Sequence, residues 1–293
     1  EKQLQGLPFY KKELLGKTYP KLRTAKTEIL TVKKKKTDAE IGLLARQMAE
    51  GKVKYDTLSM EELLYAGTLT GILSEREAIY KAAIAKQDNW VAHNNLGAVY
   101  LEMAKLEMDA SKRSSLVDNA NTQLNLAKAQ QNAPEVVLNM ASAAAMKGMR
   151  ADARRLAMEA AGMQSAPDAV RKGAYGILGV CDIKDAKYDN AISNLSKATE
   201  DPIVVYNLAL ANLLKKDFTS AKSGFDKYKN VQPNDAMGFY LAAVTASRQA
   251  DEGTLSSNLK TAVQKDRNLA AKATADMEFF NYWNAQTFQD AIK

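Results

Sequence analysis

One pattern recurs along this chain from about Ser59 to Asn268, and its cleanest copy is Val205 to Pro233, VYNLALANLLKKDFTSAKSGFDKYKNVQP. Leu208 and Ala209 lie inside one apolar-periodic helix. Lys215, Lys216 and Asp217 make a polar turn, Ala221, Phe225 and Tyr228 mark one face of a second helix, and Pro233 ends the unit. Small residues at such places let two antiparallel helices approach closely, and the aromatic fills the space between one pair and the next. A pair this thin cannot bury its own apolar face, so copies must stack.

The small residue of the first helix recurs at Ala66, Gly97, Ala141, Gly179, Ala209 and Ala242, with successive separations of 31, 44, 38, 30 and 33 residues. The two long intervals read as insertions at Lys105 to Ser115 and around Gln164 to Gly173. Longer helices or an extended loop there would form a protrusion, a common place for partner contact. Ser59 and Glu62 have the spacing of a capping box and open the first pair, predicted at 59–71 and 74–86. Later pairs open at Trp90 and after Pro134, Pro167 and Pro202, and a weaker sixth carries Leu241, Leu255 and Leu259. The tail from Leu269 to Lys293 holds Phe279, Phe280, Tyr282, Trp283 and Phe288. It is expected to cover the last pair with a capping helix and a final short one.

Residues 1–58 lack the pattern. A short helix with Pro8 near its start is predicted to end around Gly16, followed by a strand from Leu22 to Lys34 on its Thr, Ile and Val content. A lone strand cannot satisfy its own backbone, so 1–36 reads as the remnant of an α/β domain. Asp38 caps a helix from Ala39 to about Glu50, and Gly51 to Thr57 is a loop, which makes 37–58 a linker. The repeat body then spans 59–268 and its cap 269–293. The first residue is Glu1 rather than Met, and no signal-like apolar stretch opens the chain, which reads as an excised segment or a mature form. Apolar runs such as Ala141 to Met146 fall far below the roughly 20 residues that a membrane-spanning helix needs.

Net charge is +7, but the excess is uneven: Lys11, Lys12, Lys17, Lys21, Arg23, Lys26 and the run Lys33 to Lys36 all precede the repeats, which mix both signs. A charge run of this kind reads as a solvated face, so no nucleic-acid partner is expected; the alternative, nucleic-acid binding through this basic start, would show a steep salt dependence. The single cysteine, Cys181, forbids an internal disulfide, and with one histidine, His93, no zinc set or Cys/His dyad assembles unless carboxylates supply the rest. His93 stands where a first helix packs on its neighbour, and Cys181 reads as a buried small hydrophobe. Gly173, Gly176 and Gly179 recur at spacing three, but no strand precedes them, so the dinucleotide fingerprint fails and close helix packing explains them. Glu61 and Glu62 are helix-start acids. No catalytic residue, metal ligand or cofactor site is expected.

The repeat resembles the tetratricopeptide repeat, which places a small residue after Leu in the first helix, then Ala and an aromatic in the second, and Pro at the end. Asn95-Leu96-Gly97 with Tyr100 follows the first-helix part closely. The resemblance implies an all-α, right-handed helical solenoid of about six helix pairs, with a short helix and strand before it and a capping helix after it. The concave side of that fold is lined mainly by first helices. Counted from the small residue, its exposed positions are Asn94, Asn95 and Leu101, then Leu138, Asn139 and Ser142, then Tyr206, Asn207 and Leu210, and last Phe239 and Tyr240. Amides there suit the backbone of an extended peptide, and rings suit its side chains. Some such repeats clamp a partner's C-terminal carboxylate with Lys and Asn; the corresponding places here lack that basic set.

The whole arrangement also resembles the C-terminal part of Gram-negative envelope proteins in which an outer membrane protein A-like, peptidoglycan-binding domain precedes such repeats. The likeness lies in Tyr19-Pro20-Lys21-Leu22-Arg23, Lys36-Thr37-Asp38-Ala39-Glu40-Ile41, Ser59-Met60-Glu61-Glu62-Leu63-Leu64-Tyr65-Ala66, Asn94-Asn95-Leu96-Gly97-Ala98-Val99 and Met277-Glu278-Phe279-Phe280. It implies that 1–36 are the last helix and strand of that domain, and a place in the periplasm or at the outer membrane, with the cytoplasm as the alternative. The function implied is a non-enzymatic scaffold that binds another protein or an extended peptide. The alternative is a glycan-binding, outer-membrane-associated protein on similar helices, which would show a solvent-exposed aromatic pair outside the groove.

Overall fold

Caps and turns set where each helix of this chain begins and ends. The computed structural model describes residues 5–22, 35–54 and 57–293, and the chain divides into two units, Glu1–Thr37 and Asp38–Lys293. In the first unit a π-type helix, Tyr10–Thr18, runs on into one α turn, Tyr19–Leu22. It passes through Gly16 instead of stopping there. A Cβ at Gly16 would lie 3.3 Å from the Lys11 carbonyl, a tight approach that glycine avoids. Tyr10 is buried and meets Tyr19 edge to face at 6.1 Å. The strand predicted from Leu22 to Lys34 falls, after Leu22, outside the described residues up to Lys34, and no strand occurs among the described residues.

The second unit opens with α1 (Asp38–Ala49), whose Ile41 and Ala45 are buried with Leu58, Leu63 and Ile79. Six helix pairs follow: α2 (Met60–Ala66) and α3 (Leu73–Lys86), α4 (Trp90–Leu106) and α5 (Ala110–Gln130), α6 (Pro134–Met146) and α7 (Arg150–Gly162), α8 (Asp168–Lys184) and α9 (Tyr188–Leu195), α10 (Pro202–Lys215) and α11 (Phe218–Val231), α12 (Ala236–Arg248) and α13 (Glu252–Lys265). The tail forms α14 (Asn268–Ala275), a 3-10 turn (Met277–Tyr282) and α15 (Gln286–Ala291). Even-numbered helices from α2 to α12 are the first of each pair. Each second helix also packs on the first helix of the next pair, and α4, α6, α8, α10 and α12 touch in succession along one face.

The capping box forms as expected: the Glu62 N–H donates to Ser59 Oγ at 3.1 Å and the Ser59 N–H to Glu62 Oε2 at 2.8 Å. Asp109, Asp217 and Asp251 likewise accept from the backbone of Lys112, Ser220 and Thr254 to start α5, α11 and α13. α2 is shorter than predicted, ending at Ala66 rather than near 71. Two glycines and two threonines between 67 and 71 are poor helix formers, and Gly67 lies under Tyr80, where a Cβ would stand 2.3 Å from the ring. The larger insertion is taken up by helix: α4 and α5 run to 17 and 21 residues. The smaller one lengthens the connection before α8 and α8 itself, also 17 residues. α9 is the shortest second helix at 8 residues, against 13 to 21 in the others.

Four of the turns inside pairs place one residue in the left-handed region: Gly148 at φ 74°, Ala186 at 56°, Lys216 at 70° and Ala250 at 55°. Only one of these is glycine. The left-handed residue ends the first helix and reverses the chain, at a cost of about 1 kcal/mol where a Cβ is present.

Packing between the two helices of a pair turns on the small residue. A Cβ on Gly97 would stand 2.8 Å from Leu124 Cγ, and one on Gly179 only 2.4 Å from Leu195 Cγ. In the fifth pair the roles reverse: Ala209 sits against Gly224, where a Cβ would lie 2.7 Å from the alanine methyl. Ala221 and Phe225 are 0% exposed, so the face they mark is the shared interior. At the end of the stack Phe279 and Phe288 are buried with Leu255 and Leu259. Of the three glycines at spacing three, Gly179 and Gly173 are explained by close packing, Gly173 through Leu138 Cδ2 at 2.9 Å. Gly176 is not: a Cβ there would meet Ala198 and Val204 at an ordinary 3.8 Å.

Opposite effects of one substitution follow. Gly179→Ala is expected to lower stability by about 1–3 kcal/mol through overpacking on Leu195. Gly176→Ala is expected to raise it by up to about 1 kcal/mol through helix propensity. Urea-melt midpoints shifting in opposite directions would bear this out, and a shared direction would not.

Candidate functional site

The face shared by the first helices divides into three stretches. At its start a polar seam crosses α3, α4 and α6. The Asn139 amide donates to Asn94 Oδ1 at 2.9 Å, and the Asn94 amide reaches Asn95 Oδ1 at 3.3 Å. Burial pushes the Tyr80 phenol above its ordinary value, against the opposing pull of Arg76 and a hydrogen bond with Asn95. Arg76 pairs with Glu102 at 2.6 Å. Asn94 is only 7% exposed and Leu101 only 4%, so these two predicted contact residues hold neighbouring helices together instead of meeting a ligand.

In the middle stretch α6, α8 and α10 border a cleft of about 350 Å³. Ser142 and Asn207 of the predicted set line it together, along with Met146, Ile177, Val180 and Ile203. Leu138 is half-buried and covers Gly173 beside it. Asn95 and Asn139 are half-buried in the seam.

The last stretch is aromatic. Tyr206 is half-buried edge to face with Phe225 and Tyr228, at 6.1 and 5.1 Å, and burial raises its phenol. Tyr240 is 1% exposed, hydrogen-bonded to Asp276 at 2.7 Å with Lys272 over its ring, so it too belongs to the packing and not to the surface. Phe239 is half-buried between the Lys229 and Lys265 ammonium groups, 5.5 and 5.3 Å from its ring centre. Leu210 lines a smaller recess of about 270 Å³ with Leu214, Lys216 and Arg248.

The two residues with reactive potential are interior. His93 bridges Gln123 at Nδ1 and Asp88 at Nε2, both at 2.7 Å, and is 5% exposed. Burial pushes the Cys181 thiol up, away from the thiolate a nucleophile needs. Sequence reasoning missed Met146, Gly176, Ile177 and Ile203. The available signal was a pair of glycines in one first helix facing a β-branched Ile203-Val204 start to the next.

By sequence the chain matches no described family and no curated protein. Among solved structures it is similar to a chain of the APC/C hetero-tetramer Cut9–Hcn1, with TM-score 0.63 and 11% identity over 87% of this chain, spanning 46% of that one. It is also similar to PilF of Pseudomonas aeruginosa, with TM-score 0.55 and 14% identity over 80% of this chain and 97% of that one. A tetratricopeptide repeat protein from Parabacteroides merdae gives TM-score 0.50 and 14% identity over 82% of this chain and 97% of that one. The fold is a tetratricopeptide-repeat solenoid. At these identities the likeness is one of fold.

Within this solenoid the seam and the cleft respond differently to truncation. Asn94→Ala is expected to cost about 1–3 kcal/mol, because it removes the acceptor of the Asn139 amide and the Asn94 donor to Asn95 Oδ1. Asn207→Ala removes only a bond to the Ile203 carbonyl of its own turn, at 2.8 Å, and is expected to stay within about 0.5 kcal/mol of the parent. Paired thermal and urea melts test the contrast.

Proposed function

We propose that this chain is a non-enzymatic scaffold that holds another protein, or an extended segment of one, along its first-helix face. One observation carries this reading: the successive first helices leave an open cleft with apolar walls and a polar rim, while the only histidine and the only cysteine are buried. Apolar and amide side chains suited to binding line the cleft, and the imidazole and the thiol lie in the interior. Surfaces built this way bind through an apolar anchor and a few placed polar groups.

The setting we propose is a bacterial cell envelope, periplasmic or associated with the outer membrane. This rests on the sequence resemblance, which makes 1–36 the end of an outer membrane protein A-like domain, 37–58 a linker, 59–268 the repeats and 269–293 the cap. Any association with peptidoglycan would then be indirect, through that upstream domain. Among the described residues no helix is long and apolar enough to cross a membrane.

A second reading, glycan binding, draws on Phe280 and Trp283 in the cap. Their rings are 5.2 Å apart outside the first-helix face, and Phe280 is 57% exposed. The planes stand at 73°, so the pair offers no shared flat platform for a sugar.

Crosslinking followed by pull-down from native envelopes, using the full chain and a Ser142→Arg/Asn207→Arg form, separates the two. The scaffold reading expects a defined protein partner with the parent that is lost with the double variant. Recovery of no protein, together with saturable glycan binding abolished by Phe280→Ala, would remove it.

A further inference from the structure

The cleft between α6, α8 and α10 owes its depth to missing side chains. α8 passes Gly173 and Gly176 along it, and at Gly176 nothing stands closer than 3.8 Å to where a Cβ would be. Helix packing requires glycine at 173 and 179 but not at 176, where neighbours at ordinary contact distance leave room for a Cβ. Ala145, Met146, Ile177, Val180 and Val204 supply apolar walls. Ile203 lines the same cleft and remains 63% exposed. A branched aliphatic side chain left bare beside apolar walls gains when a second apolar group covers it.

Charge on the rim selects the partner. Among the described residues Lys105, in the last turn of α4, forms no ion pair. Lys172 is tied only to Asp168 on its own helix, at 2.8 Å with both side chains in solvent, a pairing of little strength. The one acid on the cleft, Asp201, sits at the N-terminus of α10, where the helix dipole offsets its charge. A carboxylate beside an apolar group is therefore favoured over a neutral or basic neighbour. Asn207 donates to Ile203, which leaves its amide oxygen as an acceptor for a backbone N–H.

We propose that this cleft is an anchor pocket for an extended segment of a partner protein. It takes one large apolar side chain over Gly176, while an Asp or Glu within two residues of that side chain pairs with Lys105 and Lys172. This rests on the scaffold reading above and adds the chemistry that the face selects.

The test is selection of a random 12-residue phage-displayed library on the immobilised full chain. Fluorescein-labelled copies of the selected peptides are then titrated against the parent, Gly176→Phe, Lys105→Glu/Lys172→Glu, and Phe280→Ala as a control away from the cleft. The expected peptides share one large apolar residue with an acid within two positions. Their Kd rises about tenfold or more in the first two variants, rises with added salt, and is unchanged in Phe280→Ala. The lysine variant alters only exposed side chains, so the proposal remains testable if Gly176→Phe does not fold.

Selected peptides that lack this pattern, or that bind both cleft variants as well as the parent, overturn the anchor and leave the scaffold reading standing. Sedimentation showing a dimer that Gly176→Phe dissolves assigns the cleft to a second copy of the chain and also overturns it. No selectable peptide and no dimer overturns the anchor, and the crosslinking experiment above then decides the scaffold reading separately.

Discussion

The distance between the two helices of a pair, set at a single residue, governs the second unit. Gly97 against Leu124 and Gly179 against Leu195 leave no room for a methyl group. Ala209 against Gly224 reaches a close approach by the opposite assignment of large and small. The complementarity is volumetric: overpacking and voids both cost stability in an interior at crystal-like density. Because each pair touches only its neighbours, an error of spacing at one pair is passed on as an error in where the next pair sits. Phe225 and Tyr240, both sealed in the interior, depend on that spacing.

The repeat was legible because small residue, polar turn and aromatic recur at fixed offsets, and because Ser59 and Glu62 announce a helix start by spacing alone. Turn geometry was less so. Ala186, Lys216 and Ala250 adopt a left-handed conformation that sequence assigns to glycine, and it is the helices on either side, docked face to face, that impose it. The early end of α2 was readable in its glycines and threonines; the pressure of Tyr80 on Gly67 was not, since it comes from another helix.

Site residues were legible to within a face but not to within a neighbour. Counting from the small residue put Asn94, Leu101 and Tyr240 on the first-helix side of their helices, where packing covers them, Asn94 through Asn139 of α6 and Tyr240 through Lys272, Asp276 and Phe279 of the cap. Ser142 and Asn207 escaped because the helix between them, α8, has glycine where a side chain would have filled the gap. A site made by the absence of atoms leaves little trace in a search for functional groups. The result is a face closed at one end by amides, closed at the other by rings and lysines, and open in the middle.

The brevity of α9 bears on that opening. Its buried residues, Ala191 and Leu195, join Ala211 in an apolar cluster smaller than those on either side, with Ile183, Ile192, Val204 and Leu208 partly buried around it. In a linear stack held layer by layer, tilting costs least at the layer with the least buried contact. α9 pairs with α8, and Leu195 also borders the cleft from behind. The thinnest apolar layer of the array thus lies beside the cleft, so the fewest buried side chains fix the tilt of the repeats where the first-helix face stands open.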